Sequence, residues 1–267
     1  MDILQEIAER TRERTEARKK ELPPEKVIEI AQMGCRDGLN GRHDFPFEKT
    51  LCSDGMAFIC EIKKASPSKG VISEDFPYIC FAREYEAAGA AAISVLTEPH
   101  YFKGDDRYLR EIADTVSIPL LRKDFTVDSY MIYEAKMLGA SAVLLICAML
   151  DNDTLAEYIN IAHGLGLSAL VETHTEAEVD MALAAGARII GANNRNLKTF
   201  DVDATLSVRL KKLVPPGIIF VSESGIRTAE DVEKLRQNGV DAVLVGETLM
   251  RSPDKKAALA ELRGNTP

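Results

Sequence analysis

SALVETHTEAEVDMALAAGARIIGAN, residues 168–193, decides the fold. Two apolar runs, SALVET (168–173) and RIIGAN (188–193), enclose an amphipathic stretch that closes at Gly186. The runs are apolar throughout instead of alternating, which marks strands covered on both faces in a parallel sheet. The stretch between them reads as a helix, and a glycine at its end is a common helix stop. Strand, helix and strand together make one βα module. Outward from it the same unit recurs. Six more runs, AFICEI (57–62), AAISVL (91–96), PLLRKD (119–124), AVLLIC (142–147), IIFVSES (218–224) and AVLVGE (242–247), bring the total to eight. Further amphipathic stretches close at Gly89, Gly139, Gly164 or Gly166, and Gly239. A repeat of roughly 20–35 residues suits stacked βα units. Eight of them predict a (β/α)₈ TIM barrel, one domain over 1–267. Residues 1–50 are expected to form an N-terminal helical extension. Residues 1–20 read as an exposed amphipathic helix ended by Pro23 and Pro24, EKVIEIAQM as a second short helix, and 34–55 as a loop.

Composition narrows the function. The chain of 267 residues carries a formal net charge of −9 and a sequence pI near 5.1. A general nucleic-acid binder would need a basic face to offset phosphate charge, so that class is set aside. A small anionic substrate is not, because a few local cations can serve it. Five cysteines are an odd number without a CxxC pair, which predicts reduced thiols in a cytoplasmic protein. Four histidines show no HxxxH spacing, so no metal site is expected. The longest apolar run, AVLLICAML (142–150), is too short to span a bilayer, and the N-terminus lacks a signal-peptide core. A monomer without membrane partners is the expectation.

In such barrels the active site lies at the C-terminal ends of the strands. CEIKKASPSKG (60–70) places Glu61 and Lys63 two residues apart, on one face of a strand, with Lys64 on the other. The third run ends with Arg122, Lys123 and Asp124, the fifth with Glu172, the sixth with Asn193, Asn194 and Arg195. The seventh ends with Ser222, Glu223 and Ser224, the eighth with Gly246 and Glu247. One charged strand end is more often a plain salt bridge than a catalytic group. Several converging on one rim are costly to bury without a substrate. Glu61, Lys63, Lys123 and Glu172 are therefore expected to share a pocket. SESGI and VLVGETLM each set a glycine between strand and helix, where barrels bind phosphate on backbone N–H groups. Gly225 and Gly246 alone would also serve as tight turns. No GxGxxG or Walker loop points to a nucleotide.

These pieces resemble a known family, indole-3-glycerol-phosphate synthase of tryptophan biosynthesis. EIKKASPSKG, ISVLTEPHYFKG, LRKDF, LVETHTEAE, IIGANNRNLKTF, VSESGI and VLVGETLM carry the likeness over about 57–250, in order. The resemblance implies a carboxy-lyase that closes the ring of 1-(2-carboxyphenylamino)-1-deoxyribulose 5-phosphate with loss of CO₂ and water. It implies neither metal nor organic cofactor. By motif, Lys123 is the general acid, and Glu172 serves proton removal and stabilises a cationic intermediate. Glu61 and Lys63 assist, and Asn193 and Ser224 join the catalytic group. Ser66, Asn193 and Arg195 position the anilino carboxylate and the sugar hydroxyls, with Phe125 in the substrate site. Lys63, Ser224, Gly225, Gly246 and Glu247 border the phosphate, Glu247 through its backbone N–H only, with the carboxylate turned away. Two other readings stay open. A Schiff-base aldolase would use Lys123 as nucleophile and needs its pKa depressed. A metabolite-binding barrel would keep the phosphate glycines without the acid–base set.

Overall fold

The computed structural model describes residues 3–33, 44–52, 55–196 and 199–264. Eight strands close into a parallel barrel: β1 (Ala57–Ile62), β2 (Ala92–Leu96), β3 (Leu120–Lys123), β4 (Ala142–Ile146), β5 (Ser168–Thr173), β6 (Ile189–Asn193), β7 (Ile219–Glu223) and β8 (Ala242–Val245). Neighbours in the chain are neighbours in the barrel, and β1 closes on β8 with Ala57 opposite Ala242 and Cys60 opposite Val245. Most of the apolar runs overshoot the strands by a residue or two. Cys147, for instance, already belongs to a short 3₁₀ turn, Cys147–Met149.

Side-chain alternation splits the core in two. Ile59, Leu121, Leu144, Leu170, Ile189, Val221 and Leu244 fill the barrel interior. Their chain neighbours Phe58, Leu120, Val143, Val171, Ile190, Phe220 and Val243 face the surrounding helices. Two residues beyond the interior set, still on its face, come Glu61, Lys123, Glu172, Gly191, Glu223 and Gly246. Strand parity alone thus delivers Glu61, Lys123, Glu172 and Glu223 to the mouth of the barrel, with glycines at 191 and 246 and the apolar Ile146 on the same face.

Helices α1 (Ile3–Glu21), α2 (Pro24–Met33) and α3 (Pro46–Leu51) precede the barrel. Then α4 (Tyr78–Ala87), α5 (Asp106–Ala113), α6 (Tyr130–Met137), α7 (Asn152–Gly164), α8 (Glu176–Ala184), α9 (Leu206–Lys211), α10 (Ala229–Gln237), α11 (Glu247–Arg251) and α12 (Lys255–Leu262) follow. Gly166, at φ 70°, takes the left-handed position after α7, while Gly164 remains helical.

Two expectations change. Helix α1 is not simply exposed: Ile7, Ala8, Thr11 and Thr15 are buried. It lies against the barrel mouth because Arg14 grips both oxygens of Asp124 at 2.8 and 2.9 Å, Arg18 reaches Glu134 at 2.9 Å and Lys19 reaches Asp128 at 2.6 Å. The polar segment 34–55, read as loop, contains α3. Phe47 and Leu51, four apart on α3, are fully buried and close the lower end of the barrel interior. Part of that segment, 34–43 and 53–54, lies outside the described residues.

Candidate active site

A cavity of about 580 Å³ opens at the C-terminal ends of the strands. At its centre Lys123 Nζ lies 3.2 Å from Glu172 Oε2 and 3.5 Å from Glu223 Oε2. Beside them Lys63 contacts Glu61 closely, as their shared strand face requires. Lys64 points the other way, its ammonium 5.9 Å from the ring centre of Phe76. Burial opposes the charge on Lys123, but the carboxylates of Glu172, Glu223 and Glu61 outweigh it and raise its pKa above the ordinary lysine range. Burial likewise opposes charge on Glu172. Lys123, then His174 and a hydrogen bond from Asn193, overcome that and hold its pKa low. Glu223 has no such surplus of partners. Burial, the largest influence, and the nearby Glu172 and Glu61 push it up to about 7 against the pull of Lys123. Its Oε1 is buried without a hydrogen bond.

Residue 122 sits on the opposite parity from Lys123 and does different work. Arg122 is buried outside the barrel interior, 2.7 Å from Asp106 and 2.8 Å from Glu134, and donates to the Met131 carbonyl at 3.0 Å. Asp124 accepts from Thr97 at 2.6 Å and from Arg14. So within LRKDF the lysine serves the cavity while its two charged neighbours lock α1 and the outer layer around it. Phe125 returns to the cavity, its ring 5.9 Å from that of Phe102. Phe102 is held by Glu98, whose buried carboxylate accepts the backbone N–H groups of His100, Tyr101 and Phe102 at 2.9, 2.7 and 3.0 Å. Gly104 completes that turn: a Cβ there would lie 2.5 Å from the Leu96 carbonyl oxygen.

Past β7 the backbone bends sharply. Ser224 has φ 66° and Gly225 φ 82°, both left-handed, a cost of order 1 kcal/mol for the serine. The Asn194 side chain holds the bend, donating to Ser222 Oγ at 3.1 Å and to the Ser224 carbonyl at 3.0 Å. Gly246 opens the five-residue helix α11. A Cβ on Gly246 would fall 2.3 Å from Glu61 Oε1, so only glycine leaves the Glu61–Lys63 pair in place. The Glu247 carboxylate engages Arg251 at 3.2 Å and Lys69 at 3.7 Å, cations at the cavity rim. Across the mouth, Ser66 belongs to a two-stranded ribbon, Ala65–Ser66 with Gly70–Val71. The Asn193 side-chain oxygen accepts the Arg195 N–H at 3.1 Å, and the Arg195 guanidinium donates to the Phe200 carbonyl at 3.1 Å.

The structure therefore brings Glu61, Lys63, Ser66, Lys123, Phe125, Glu172, Asn193, Arg195, Ser224, Gly225, Gly246 and Glu247 to one cavity wall. Three contributors to the cavity carry no role in the motifs. Glu223 was visible as a strand end, and the alternation Ile219, Val221, Glu223 marks it as interior. Phe102 lies in a loop whose shape depends on the buried Glu98. Ile3, Leu4 and Ile7 of α1 line the cavity, a contact that charge-rich composition concealed. The four described cysteines are free thiols, and burial lifts Cys60 and Cys147 to about 12. Cys35 lies outside the described residues.

Solved structures of low identity share the fold. A 3-hexulose-6-phosphate synthase superposes with TM-score 0.64 at 14% identity, over 79% of this chain and 100% of that one. Sequence relatives are far closer. A protein of Ruminiclostridium cellulolyticum named indole-3-glycerol phosphate synthase is 60% identical over 98% of this chain and 99% of its own length. One of the same name from Lachnoclostridium phytofermentans is 49% identical over 98% of each chain. The sequence model of that family matches residues 4–262. As the motifs implied, the chain belongs to the indole-3-glycerol phosphate synthase family.

Proposed function

We propose that this chain closes the pyrrole ring of 1-(2-carboxyphenylamino)-1-deoxyribulose 5-phosphate, a carboxy-lyase step of tryptophan biosynthesis, by general acid–base catalysis. The observation that carries the mechanism is Lys123, held charged between Glu172 and Glu223 at the floor of a cavity with an aromatic wall. Phe102 and Phe125 suit the anilino ring. The Ser224–Gly225 bend and the start of α11 suit the phosphate, as loops after strands 7 and 8 do in other barrels. Lys63 and Arg195 supply cations for the two anionic ends of the substrate.

With the substrate so placed, the ring carbon bearing the carboxylate attacks the ketone carbon, and Lys123 gives its proton to the ketone oxygen. Loss of CO₂ returns the bonding electrons to the ring. The new hydroxyl then leaves as water, which needs a proton donor, and a ring proton departs. Glu223, at about 7, is poised for the first transfer, since a group titrating near operating pH is effective at proton exchange. Glu172, ionised, stabilises the cationic intermediate and accepts the departing proton. Lys63 holds the anion end, and Glu61, paired with it, positions its ammonium or transfers a proton in the dehydration. A lysine of raised pKa is a poor Schiff-base nucleophile, which counts against the aldolase reading. A cytoplasmic monomer, one barrel over 1–267 without nucleic-acid or membrane partners, belongs to the same proposal. Among the described residues no helix is long and apolar enough to cross a membrane.

The test is product analysis. Purified protein with this substrate should release one CO₂ per indole product, and borohydride added during turnover should trap no adduct on Lys123. A trapped adduct without CO₂ release would replace the proposal by the aldolase reading.

A further inference from the structure

His174 does not line the cavity, yet it touches the carboxylate at its floor. Its Nε2 lies 3.6 Å from Glu172 Oε1, and its Nδ1 lies 3.7 Å from Glu178 Oε2. Both ring nitrogens are buried and neither makes a hydrogen bond. Glu178 is fixed independently. It is the third residue of α8, its N–H is capped by Thr175 Oγ1 at 3.2 Å, and its carboxylate accepts the His174 backbone N–H. The ring thus spans from an anchored helix start to the back of Glu172. The other Glu172 oxygen faces Lys123.

We propose that His174 is a positioning residue for ring closure: it holds Glu172 Oε1 from behind the cavity while Lys123 holds Oε2, and so fixes the carboxylate plane. The inference rests on the reading that Glu172 acts in the reaction. Two acceptors face the two ring nitrogens, and only the doubly protonated imidazolium has a donor for each. A neutral ring would turn a lone pair toward one of the carboxylates. The charged groups around it are Glu172 on β5, Glu178 on α8, Glu223 on β7 and, past Glu172, Lys123 on β3; the Cys147 thiol adjoins the Glu178 carbonyl at 3.7 Å. Burial disfavours the charged ring, but Glu178, Glu172 and Glu223 outweigh that and raise its pKa above 6.5. Protonated, His174 also helps keep Glu172 ionised.

Two measurements test this separately. The first is proton NMR titration of the histidine ring signals, a short task with four histidines in the chain. The His174 signal, identified by its loss in His174→Gln, should titrate above 6.5, while His163, half-buried near Arg188, should titrate at about 4. In Glu172→Gln and in Glu178→Gln the His174 midpoint should fall. A midpoint unchanged in Glu172→Gln overturns the proposal, whatever the activity of that variant. The second is kinetics. His174→Leu should lower kcat about 10–100-fold, since misplacement by about 1 Å costs up to that much, with KM within about twofold. His174→Gln, which restores a donor toward Oε1, should recover most of kcat. Wild-type kcat should fall about threefold or more as pH rises through the His174 midpoint, and the glutamine variant should lack that limb. A leucine variant with wild-type kcat, or a glutamine variant retaining the limb, refutes the positioning role. Full turnover in Glu172→Gln would instead refute the role of Glu172, and the NMR result would still decide whether the two side chains are coupled.

Discussion

Gly246→Ala asks how tightly β8 is fitted to the pair on β1. The added Cβ would lie 2.3 Å from Glu61 Oε1, 3.1 Å from its Cδ and 3.2 Å from Lys63 Nζ. Ordinary contact begins at 3.4 Å, so the Glu61 carboxylate must retreat by about 1 Å. A shift of that size in a positioned group costs about 10²-fold in rate, or about 2.7 kcal/mol of transition-state stabilisation. The backbone itself is not the obstacle. Gly246 has φ −117°, outside the left-handed region that favours glycine, and losing glycine before a helix costs at most about 1 kcal/mol of stability. The variant should therefore fold with a nearly unchanged Tm and lose about 10²-fold in kcat/KM. Steady-state kinetics with thermal denaturation on the same sample separates the two effects. A kcat/KM within threefold of wild type would show that the Glu61–Lys63 placement is not critical and that the cavity tolerates a side chain at this corner.

Glu223→Gln should trade activity for stability. A carboxyl raised from 4.5 to about 7 destabilises the fold progressively as pH climbs between those values, by about 3 kcal/mol at most, and not below them. Denaturant unfolding should find the variant more stable than wild type at pH 8 and equal near pH 4, with turnover reduced; equal stability at both pH values would discount the burial of Glu223. Asp124→Asn leaves Arg14 and Arg122 facing a neutral amide, at a cost of about 3 kcal/mol and a Tm fall of about 6–12 °C by circular dichroism. Because burial disfavours but Arg14 and Arg122 more than restore the ionised form of Asp124, its pKa is lowered, so its contribution is present above about pH 4 and is lost on acidification below it. The difference between wild type and variant should close there.

The barrel was legible because its eight runs are uniformly apolar and its helices end in glycine, two local signals repeated without interruption. The site followed from parity: once a run is a strand, Glu61 and Lys63 must share a face. What stayed hidden depends on contacts between distant segments. Arg122 and Lys123 look equivalent in LRKDF, and only the outer helices, with Asp106 and Glu134, show that one is structural. Helix α1 reads as solvated because its arginines seek carboxylates more than a hundred residues away. Helix α3 is six residues of mixed polarity, and its two apolar groups matter only because the barrel interior has an open lower end.

In the proposed mechanism Lys123 delivers the proton as the ring closes. The chain contains no tryptophan, so an indole product appears as long-wavelength fluorescence over a dark background. Excess enzyme mixed rapidly with substrate should show that rise in wild type. In Lys123→Met the rise should slow by about 10²–10⁴-fold, with substrate affinity within about tenfold, because the proton is given mainly in the transition state. A Lys123→Met enzyme that forms indole at the wild-type single-turnover rate would rule out Lys123 as the general acid.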